Sequence, residues 1–406
     1  MIASAVLRVC VSLTLVEMTS SAFPVLWLGR TPGVGKSTVA WELFAGLARA
    51  GVAVSYVDID QLAMCYAAPS DDPWRNGMKA RNVSAVVTNA RSAGARCVIV
   101  SGVVDVDAVG GYVEALDDAT VTWCLLRVDR GQIAERLAQR SWSDEAIAES
   151  LQNAASMDGS RFADVTVNTA GLTVGEVAGL VRDRVDWWPT LEAMVGTAPA
   201  LPDRRKQTVT AAAGQVLWVC SPTGVGKSSV GWSIDQSVLA DGHTAAFVDL
   251  GQLGFSHPAP LDDPGNHRIK AVGLATMWNT FQASGADCLI VNGQVDTAEE
   301  FLRYSKALPA ASITLCRLRA GRDTLTQRIL QRGQPGGLEL AGNELVGQPD
   351  VVLQRAIERA VMTGRQLERG QIGDLVIDTN GRTPDELARL IRSLAGDWPR
   401  GAAERG

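Results

Sequence analysis

Two nine-residue segments of the chain have the residue types and the spacing that bind phosphate. They are residues 30–38, with the sequence RTPGVGKST, and residues 221–229, with the sequence SPTGVGKSS. Each follows a short apolar run and precedes a helical pattern, so the glycines lie in a turn between a strand and a helix. There, backbone N–H groups and the partial positive charge of the helix N-terminus converge on phosphate oxygens. The pattern predicts two phosphate-binding loops.

The residues of each loop have separate predicted tasks. Lys36 and Lys227 reach the outer phosphates, and the hydroxyls of Ser37 and Ser228 are placed to bind Mg²⁺. The predicted phosphate contacts of the two loops are Gly33, Val34, Gly35, Lys36, Ser37 and Thr38, and Gly224, Val225, Gly226, Lys227, Ser228 and Ser229.

Both loops depart from the usual pattern at their first position, where a glycine is expected. Ser221 is small enough for most backbone conformations, but Arg30 is bulky. Either Gly29 takes over the turn or the first loop is distorted. We therefore expect the second loop to bind its nucleotide more tightly, unless Arg30 serves the first site as an additional cation.

Carboxylates follow the predicted second strand of each copy. Asp58 and Asp249 end apolar runs, and ligands of parallel sheets bind at the carboxyl ends of the strands. Each carboxylate is a candidate to accept the proton of an attacking hydroxyl or to order the water shell of Mg²⁺. The alternative is an N-cap for the next helix. Asp60 adds a second carboxylate in the first copy, where the second copy has Gly251.

Other positions leave two interpretations open. Lys79 and Lys270 are either acceptor contacts or surface residues. The third strand of each copy ends in Ser101 or Asn292 rather than in a carboxylate. Mg²⁺ must then rely on the loop serine, the nucleotide and water.

Arginines follow the predicted fourth strand in both copies. The pairs Arg136 and Arg140, and Arg328 and Arg332, share a helix face by their spacing and precede a segment that we predict to be a flap. Such arginines can clamp phosphates and stabilise the charge of a transferring phosphoryl group. A solvated, salt-bridged helix face is the alternative.

The positions that hold these residues repeat along the chain. Lys227 lies 191 positions after Lys36, and the same offset relates many further pairs of residues. Within each copy apolar strands alternate with helical patterns, which predicts an α/β fold with two tandem phosphate-loop NTPase domains. Each would be a doubly wound parallel sheet of about five strands with helices on both faces. The predicted segments are an extension (1–21), domain 1 (22–190), a linker (191–213), domain 2 (214–398) and a tail (399–406).

Composition excludes several functions. The net charge of −6 argues against a broad nucleic-acid surface. The apolar N-terminal stretch is too short to span a bilayer comfortably, and we expect a cytoplasmic protein without a membrane partner. All three histidines lie in the second copy, which excludes a histidine triad or a histidine-based zinc site in the first.

The combined motifs resemble the P-loop kinases of the nucleoside-monophosphate-kinase type. The resemblance rests on the loops, the aspartate after strand 2, Ser101, the arginine-bearing segment and the closing residues 376–381. The branch that it resembles most contains gluconate kinase, adenylylsulfate kinase and chloramphenicol phosphotransferase. The chain is also similar to actinobacterial ATP-binding proteins without an assigned function, which says nothing about the acceptor.

This resemblance implies ATP and Mg²⁺ as cofactors and phosphoryl transfer to a hydroxyl of a small-molecule acceptor, whose identity the sequence leaves open. It implies Asp58 or Asp249 as the base and Lys36 or Lys227 as the phosphate clamp, with one or both copies active. The alternative is a regulatory or accessory nucleotide-binding protein that hydrolyses ATP slowly or only binds it. The two domains are expected to pack as a pseudo-dimer.

Overall fold

The structure is a computed structural model that describes residues 23–140, 142–193, 213–334 and 345–400. The predicted extension 1–21 and nearly all of the predicted linker lie outside the described residues. So do Ser141 of the first flap, residues 335–344 of the second flap and residues 401–406 of the tail.

The first copy alternates strands and helices. Its strands are β1 (Phe23–Gly29), β2 (Val54–Asp58), β3 (Cys65–Tyr66), β4 (Cys97–Gly102), β5 (Ala119–Arg127) and β6 (Val165–Asn168). Its helices are α1 (Lys36–Arg49), α2 (Asn76–Ser92), α3 (Val109–Ala115), α4 (Arg130–Gln139), α5 (Asp144–Gly159), α6 (Val174–Arg182) and α7 (Trp188–Glu192).

The second copy repeats this order. Its strands are β7 (Gly214–Cys220), β8 (Ala245–Asp249), β9 (Ser256–His257), β10 (Cys288–Asn292), β11 (Ala311–Arg319) and β12 (Leu375–Asp378). Its helices are α8 (Lys227–Ala240), α9 (His267–Ala283), α10 (Ala298–Ala307), α11 (Arg322–Gly333), α12 (Asp350–Arg369) and α13 (Pro384–Leu394).

Two six-stranded sheets form the centre of the molecule. Their strand orders are β6-β5-β1-β4-β2-β9 and β12-β11-β7-β10-β8-β3. Five strands of each sheet are parallel, as expected for apolar strands linked by helical crossovers that cover both faces. The loops after β1 and β7 therefore open at the carboxyl edges of the sheets, where the candidate residues lie.

The sixth strand of each sheet comes from the other copy. β9 pairs antiparallel with β2, and β3 pairs antiparallel with β8. The predicted number of about five strands per sheet is therefore one short, and the sheets are mixed rather than purely parallel. Two-residue strands carry no alternation long enough to be recognised in a sequence.

The exchanged segments bring the two copies into one core. Helix α2 packs against α9, and a single cluster of buried apolar side chains includes both Trp27 of β1 and Trp218 of β7. Phe255, just before β9, packs on the rings of Trp41 and Tyr56 at centroid distances of 4.9 and 5.7 Å. Apolar burial thus continues from one sheet to the other.

Candidate nucleotide and acceptor site

The glycines of both loops take a backbone conformation that L-residues rarely adopt. Gly33 and Gly35 have φ angles of 87° and 88°, and Gly224 and Gly226 have φ angles of 85° and 108°. Gly35 and Gly226 are also the N-caps of α1 and α8, so each loop leads directly into a helix N-terminus. Both loops therefore have the turn that the phosphate-binding interpretation requires.

The remaining loop residues divide into a buried anchor and an open rim. Val34 and Val225 are buried in the domain cores, whereas Thr38, Ser228 and Ser229 are exposed. Lys36, the first residue of α1, is largely buried, and burial lowers the pKa of its ammonium group while Asp60 and Asp58 oppose that shift.

Arg30 points away from the phosphate loop. Its φ angle is 150°, so it takes the unusual backbone conformation itself, while Gly29 keeps an ordinary strand conformation at the end of β1. Its side chain is buried, with 1% exposed, and forms two hydrogen bonds to the Asp158 carboxylate on α5, at 2.8 and 3.0 Å. Gly29 therefore does not take over the turn, and the Arg30 guanidinium is paired with Asp158 instead of serving as an additional cation at the phosphate position.

In the second copy a buried arginine also pairs with an acidic residue, but this arginine comes from a different position in the sequence. Glu368 on α12 corresponds to Asp158. Its carboxylate forms an ion pair at 2.8 Å with Arg317, a buried residue of β11. The first copy has Leu125 at the strand position, and the second has Ser221 at the loop position. One buried arginine thus pairs with each acidic residue, and in the first copy this arginine occupies the first position of the loop.

We expect Arg30→Ser to lower the free energy of unfolding by about 1–3 kcal/mol, because the Asp158 carboxylate loses a bidentate partner. Arg127, which lies 3.1 Å from Asp158, limits the loss. The double variant Arg30→Ser/Leu125→Arg reproduces the second copy and should recover part of it. Urea denaturation checks both variants, and no loss in the single variant would contradict this assignment.

The candidate carboxylate of the first copy is tied to the loop serine. Ser37 donates a 3.0 Å hydrogen bond to Asp58 Oδ2, and Ser101, buried at the end of β4, donates to the same oxygen at 3.1 Å. The Tyr56 hydroxyl lies 2.9 Å from Ser101 and completes the chain. Burial first, and then Asp60, raise the pKa of Asp58, while Lys36 and Ser37 oppose the rise. Asp58 also caps the next turn by accepting from the Asp60 N–H at 3.0 Å.

A cavity of about 520 Å³ opens in front of the first loop. Its lining brings together residues that the sequence treats separately. The loop contributes Gly33, Gly35, Lys36, Ser37 and Thr38, and other elements contribute Asp60, Tyr66, Arg75, Lys79, Arg140 and Trp142. The volume is that of a small-molecule site.

The part of the lining outside the loop is polar, and its side chains contact one another. Lys79 Nζ lies 3.5 Å from Asp60 Oδ1, and the Arg75 guanidinium stands 4.5 Å above the centre of the Tyr66 ring. Tyr66 belongs to β3 and pairs with Ala245 of the second sheet, so the other copy holds it in place. Asp60, a secondary candidate by sequence, is the carboxylate that faces the cavity, and Lys79 is an inward residue rather than a surface one.

The second loop differs in its polar contacts. Lys227 Nζ donates to the carbonyl oxygens of Ser221 and Pro222 at 3.0 and 3.5 Å. Burial raises the pKa of Asp249, which accepts the Gly251 N–H at 2.8 Å. Asn292 replaces Ser101; it is fully buried, and both polar atoms of its amide lack a hydrogen-bond partner within the part of the chain that the structure describes. The serine–aspartate–serine chain of the first copy is thus not reproduced.

The helix arginines divide into loop supports and residues near the ligand position. Arg136 donates to the Gly33 carbonyl at 3.1 Å, and Arg328 donates to the Val225 carbonyl and to the Thr379 hydroxyl. Arg140 lines the first cavity, and the positive charge of Arg332 lowers the pKa of Lys227, although burial is the main cause of that shift. The first members of each pair therefore hold the loops, and the second members lie near the phosphate lysines.

The site offers oxygen ligands that suit Mg²⁺. No group of three or more histidine, cysteine, aspartate or glutamate side chains able to hold a metal occurs among the described residues. Ser37 and Asp58, with oxygens 3.0 Å apart beside the loop, fit a Mg²⁺ ion that takes most of its ligands from phosphate and water. Within the described ranges, no helix has the length and apolar character needed to cross a bilayer.

Comparison with known proteins adds structural neighbours. No protein-family model matches the sequence, and no curated protein matches it. Solved structures with a similar fold include the tunicamycin resistance protein of Deinococcus radiodurans. It is 18% identical to this chain; the match covers 45% of this chain and 96% of that chain, with a TM-score of 0.33. The APS kinase of Mycobacterium tuberculosis, in complex with AMPPNP and APS, has 17% identity over 45% of this chain and 98% of that chain, with a TM-score of 0.29.

A third neighbour is a gluconokinase from Sinorhizobium meliloti, with 16% identity, 46% and 98% coverage and a TM-score of 0.28. Each of these proteins corresponds in length to about half of the present chain. At these TM-scores the similarity carries no inference about activity or substrate. The structural neighbours that the chain resembles are P-loop kinases and a resistance protein.

Proposed function

We propose that the protein is an ATP-dependent small-molecule kinase that transfers a phosphoryl group from Mg²⁺-bound ATP to a hydroxyl of an acceptor at the first copy. One observation carries the proposal: a phosphate-binding loop with a buried lysine opens onto a cavity whose lining also includes Asp60 and Lys79. Both halves of a transfer reaction, the phosphate cradle and an acceptor wall, are therefore within one cavity.

The residues of the first copy would divide the work. The loop N–H groups and Lys36 bind the phosphates, and Arg140 stabilises the charge that develops on the transferring group. Mg²⁺ would neutralise phosphate charge beside Ser37, which Asp58 orients. Asp60 accepts the acceptor's hydroxyl proton as the oxygen–phosphorus bond forms and the bond to ADP breaks. Asp58 thus takes the second of its two alternative tasks, that of ordering the ion.

The second copy supports a different task. It lacks the Asp60 equivalent, and its lysine donates hydrogen bonds to the carbonyl oxygens of its own loop. These features favour nucleotide binding without transfer, which is the regulatory alternative restricted to one half of the chain. The earlier reason to rank the second loop as the tighter binder, a bulky Arg30 in the first loop, no longer applies because Arg30 packs against α5.

The test combines a substrate screen with loop variants. Purified full-length protein is incubated with Mg²⁺, ATP and a metabolite mixture, and mass spectrometry identifies any phosphorylated product. We expect Lys36→Ala to lower product formation by about 10²–10³-fold, since it removes a charge that stabilises the transition state. Lys227→Ala should lower it by less than about tenfold, and Lys306→Ala, on an exposed part of α10, serves as the control.

Nucleotide binding itself is measured by melting temperature. A ligand present at about 100 times its Kd stabilises the folded state by about 2.7 kcal/mol. Each loop variant should remove part of the shift produced by Mg²⁺-ADP. If millimolar ATP and ADP leave the melting temperature of the parent protein unchanged, the proposal is wrong. A shift in melting temperature without any phosphorylated product would favour the regulatory alternative for the whole chain.

A further inference from the structure

A second cavity lies in the second copy, between the loop, β11 and α12. Its volume is about 320 Å³, at the lower end of the range for small-molecule sites. Its lining includes Pro222 and Val225 but neither Lys227 nor Ser228. The cavity is therefore separate from the position that the loop prepares for nucleotide phosphates.

Four arginines line this cavity, and only two of them pair with a carboxylate. Arg317 pairs with Glu368 at 2.8 Å, and Arg319 pairs with Asp378 at 3.4 Å. Among the described residues, neither of the other two, Arg322 and Arg365, forms an ion pair. Two guanidinium groups at one cavity without carboxylate partners leave a local excess of positive charge in a chain whose net charge is −6.

One of the four arginines is buried and keeps an unused donor. The Arg317 side chain is 5% exposed, and its Nε lacks a hydrogen-bond partner within the described ranges. A buried donor without a partner costs about 1–3 kcal/mol. This nitrogen is itself buried, so Arg317 forms part of the cavity wall and its Nε is not offered to a ligand.

The rest of the lining is apolar. Leu325 and Ala360 are buried, and Val361 is half-buried beside them. Arginine binds carboxylate and phosphate oxygens in a bidentate geometry. An apolar wall facing such arginines suits a ligand that has an anionic group at one end and an apolar body at the other.

The first copy does not carry the same arginine set. Counting back from the last strand of each copy, Arg365 corresponds to Ala155, and the alignment of β11 with β5 matches Arg317 to Leu125. There the buried Arg30 occupies the neighbourhood of Asp158 instead. Arg317 and Arg365 therefore distinguish this cavity from the corresponding part of the first copy, whereas Arg319 and Arg322 correspond to Arg127 and Arg130 there.

We propose that this cavity binds a small organic anion, a phosphate monoester or a carboxylate with an apolar body, held by Arg322 and Arg365. The ligand lies against the outer side of the second loop, at Pro222 and Val225. The proposal is independent of phosphoryl transfer at the first copy.

The test is calorimetric titration of the full-length protein with three probes: phenyl phosphate, phenylacetate and the neutral benzyl alcohol. We expect one or both anions to bind saturably and the alcohol not to bind. Arg365→Gln and Arg322→Gln should each weaken anion binding by about tenfold or more, because each removes a charge-assisted hydrogen bond. Arg359→Gln, on the same helix but outside the cavity, is the matched control.

The outcomes separate clearly. Preference for phenyl phosphate or for phenylacetate identifies the anionic group. The proposal fails if neither anion binds at millimolar concentration, or if benzyl alcohol binds as well as the anions. It also fails if the Arg365→Gln and Arg322→Gln variants bind the anions as tightly as the parent, which would locate the probe in a phosphate loop. Arg322 and Arg365 are exposed, so these variants are expected to fold, and their melting temperatures verify it.

Discussion

Replacing Asp60 by Asn is expected to lower the rate of ATP-dependent phosphoryl transfer by about 10²–10⁴-fold, the usual contribution of a general base. The carboxylate faces the cavity of the first loop, is 43% exposed and lies 3.5 Å from Lys79 Nζ. Asparagine keeps the shape but cannot accept the acceptor's proton. The measurement is the formation of phosphorylated product at saturating ATP, with the acceptor found in the substrate screen.

Two further variants give this experiment its controls. Asp71→Asn changes an exposed carboxylate outside the cavity lining and should leave the rate unchanged. Asp58→Asn should raise the Mg²⁺ concentration needed for half-maximal rate, because Asp58 accepts the hydrogen bond of Ser37. A larger loss of rate at saturating Mg²⁺ in Asp58→Asn than in Asp60→Asn would reverse the assignment of the base.

The second large effect concerns stability and its dependence on pH. Asp235, on α8, is fully buried, and its Oδ1 lacks a hydrogen-bond partner among the described residues. Burial raises the pKa of this carboxyl from 3.8 to about 6, although a hydrogen bond from Gln236 opposes the rise. This difference corresponds to about 3 kcal/mol. We expect Asp235→Asn to increase the free energy of unfolding at pH 8 by up to that amount.

The sign follows from the proton balance. The folded state holds the Asp235 proton at a higher pH than the unfolded chain does, so the folded state loses stability as the pH rises from about 4 to about 6. Asp235→Asn should remove this loss, and the two proteins should converge near pH 4. Urea denaturation between pH 4 and pH 8 measures it, with Asp117→Asn, at an exposed site, as the control. Parallel pH profiles for parent and variant would contradict the prediction.

The elements that carry the loops were predictable because their signals are local. A buried strand, two glycines and a lysine at a helix start specify one backbone path, and the structure has it in both copies. Helix α3 was not predicted, because Gly110 and Gly111 interrupt the helical pattern of its seven residues. The short strands β3 and β9 were missed for a different reason: the strands with which they pair lie about 180 to 200 residues away in the sequence.

The residues of the site could be predicted only at positions where the residue type allows a single chemical role. The position of Asp58 beside Ser37 follows from the strand end and the loop. Whether Asp58 or Asp60 faces the cavity depends on the conformation of the turn between them. Two carboxylates separated by one residue do not specify that conformation. The position of Arg30 required knowledge of Asp158, a partner 128 residues away. Long-range pairing of this kind leaves no local pattern.

The exchange of β3 and β9 has a consequence for how the two copies must exist. A single copy produced alone would have an open strand edge at β2 and an arm without a sheet, and these two features favour association with a second identical molecule. Two such halves would satisfy each other as a homodimer. In the tandem chain the connection raises the effective concentration of one half at the other to about the millimolar range. Covalent connection also lets each half diverge on its own, and the replacement of Ser101 by Asn292 and of Asp60 by Gly251 is the kind of asymmetry that an exchanged homodimer could never hold.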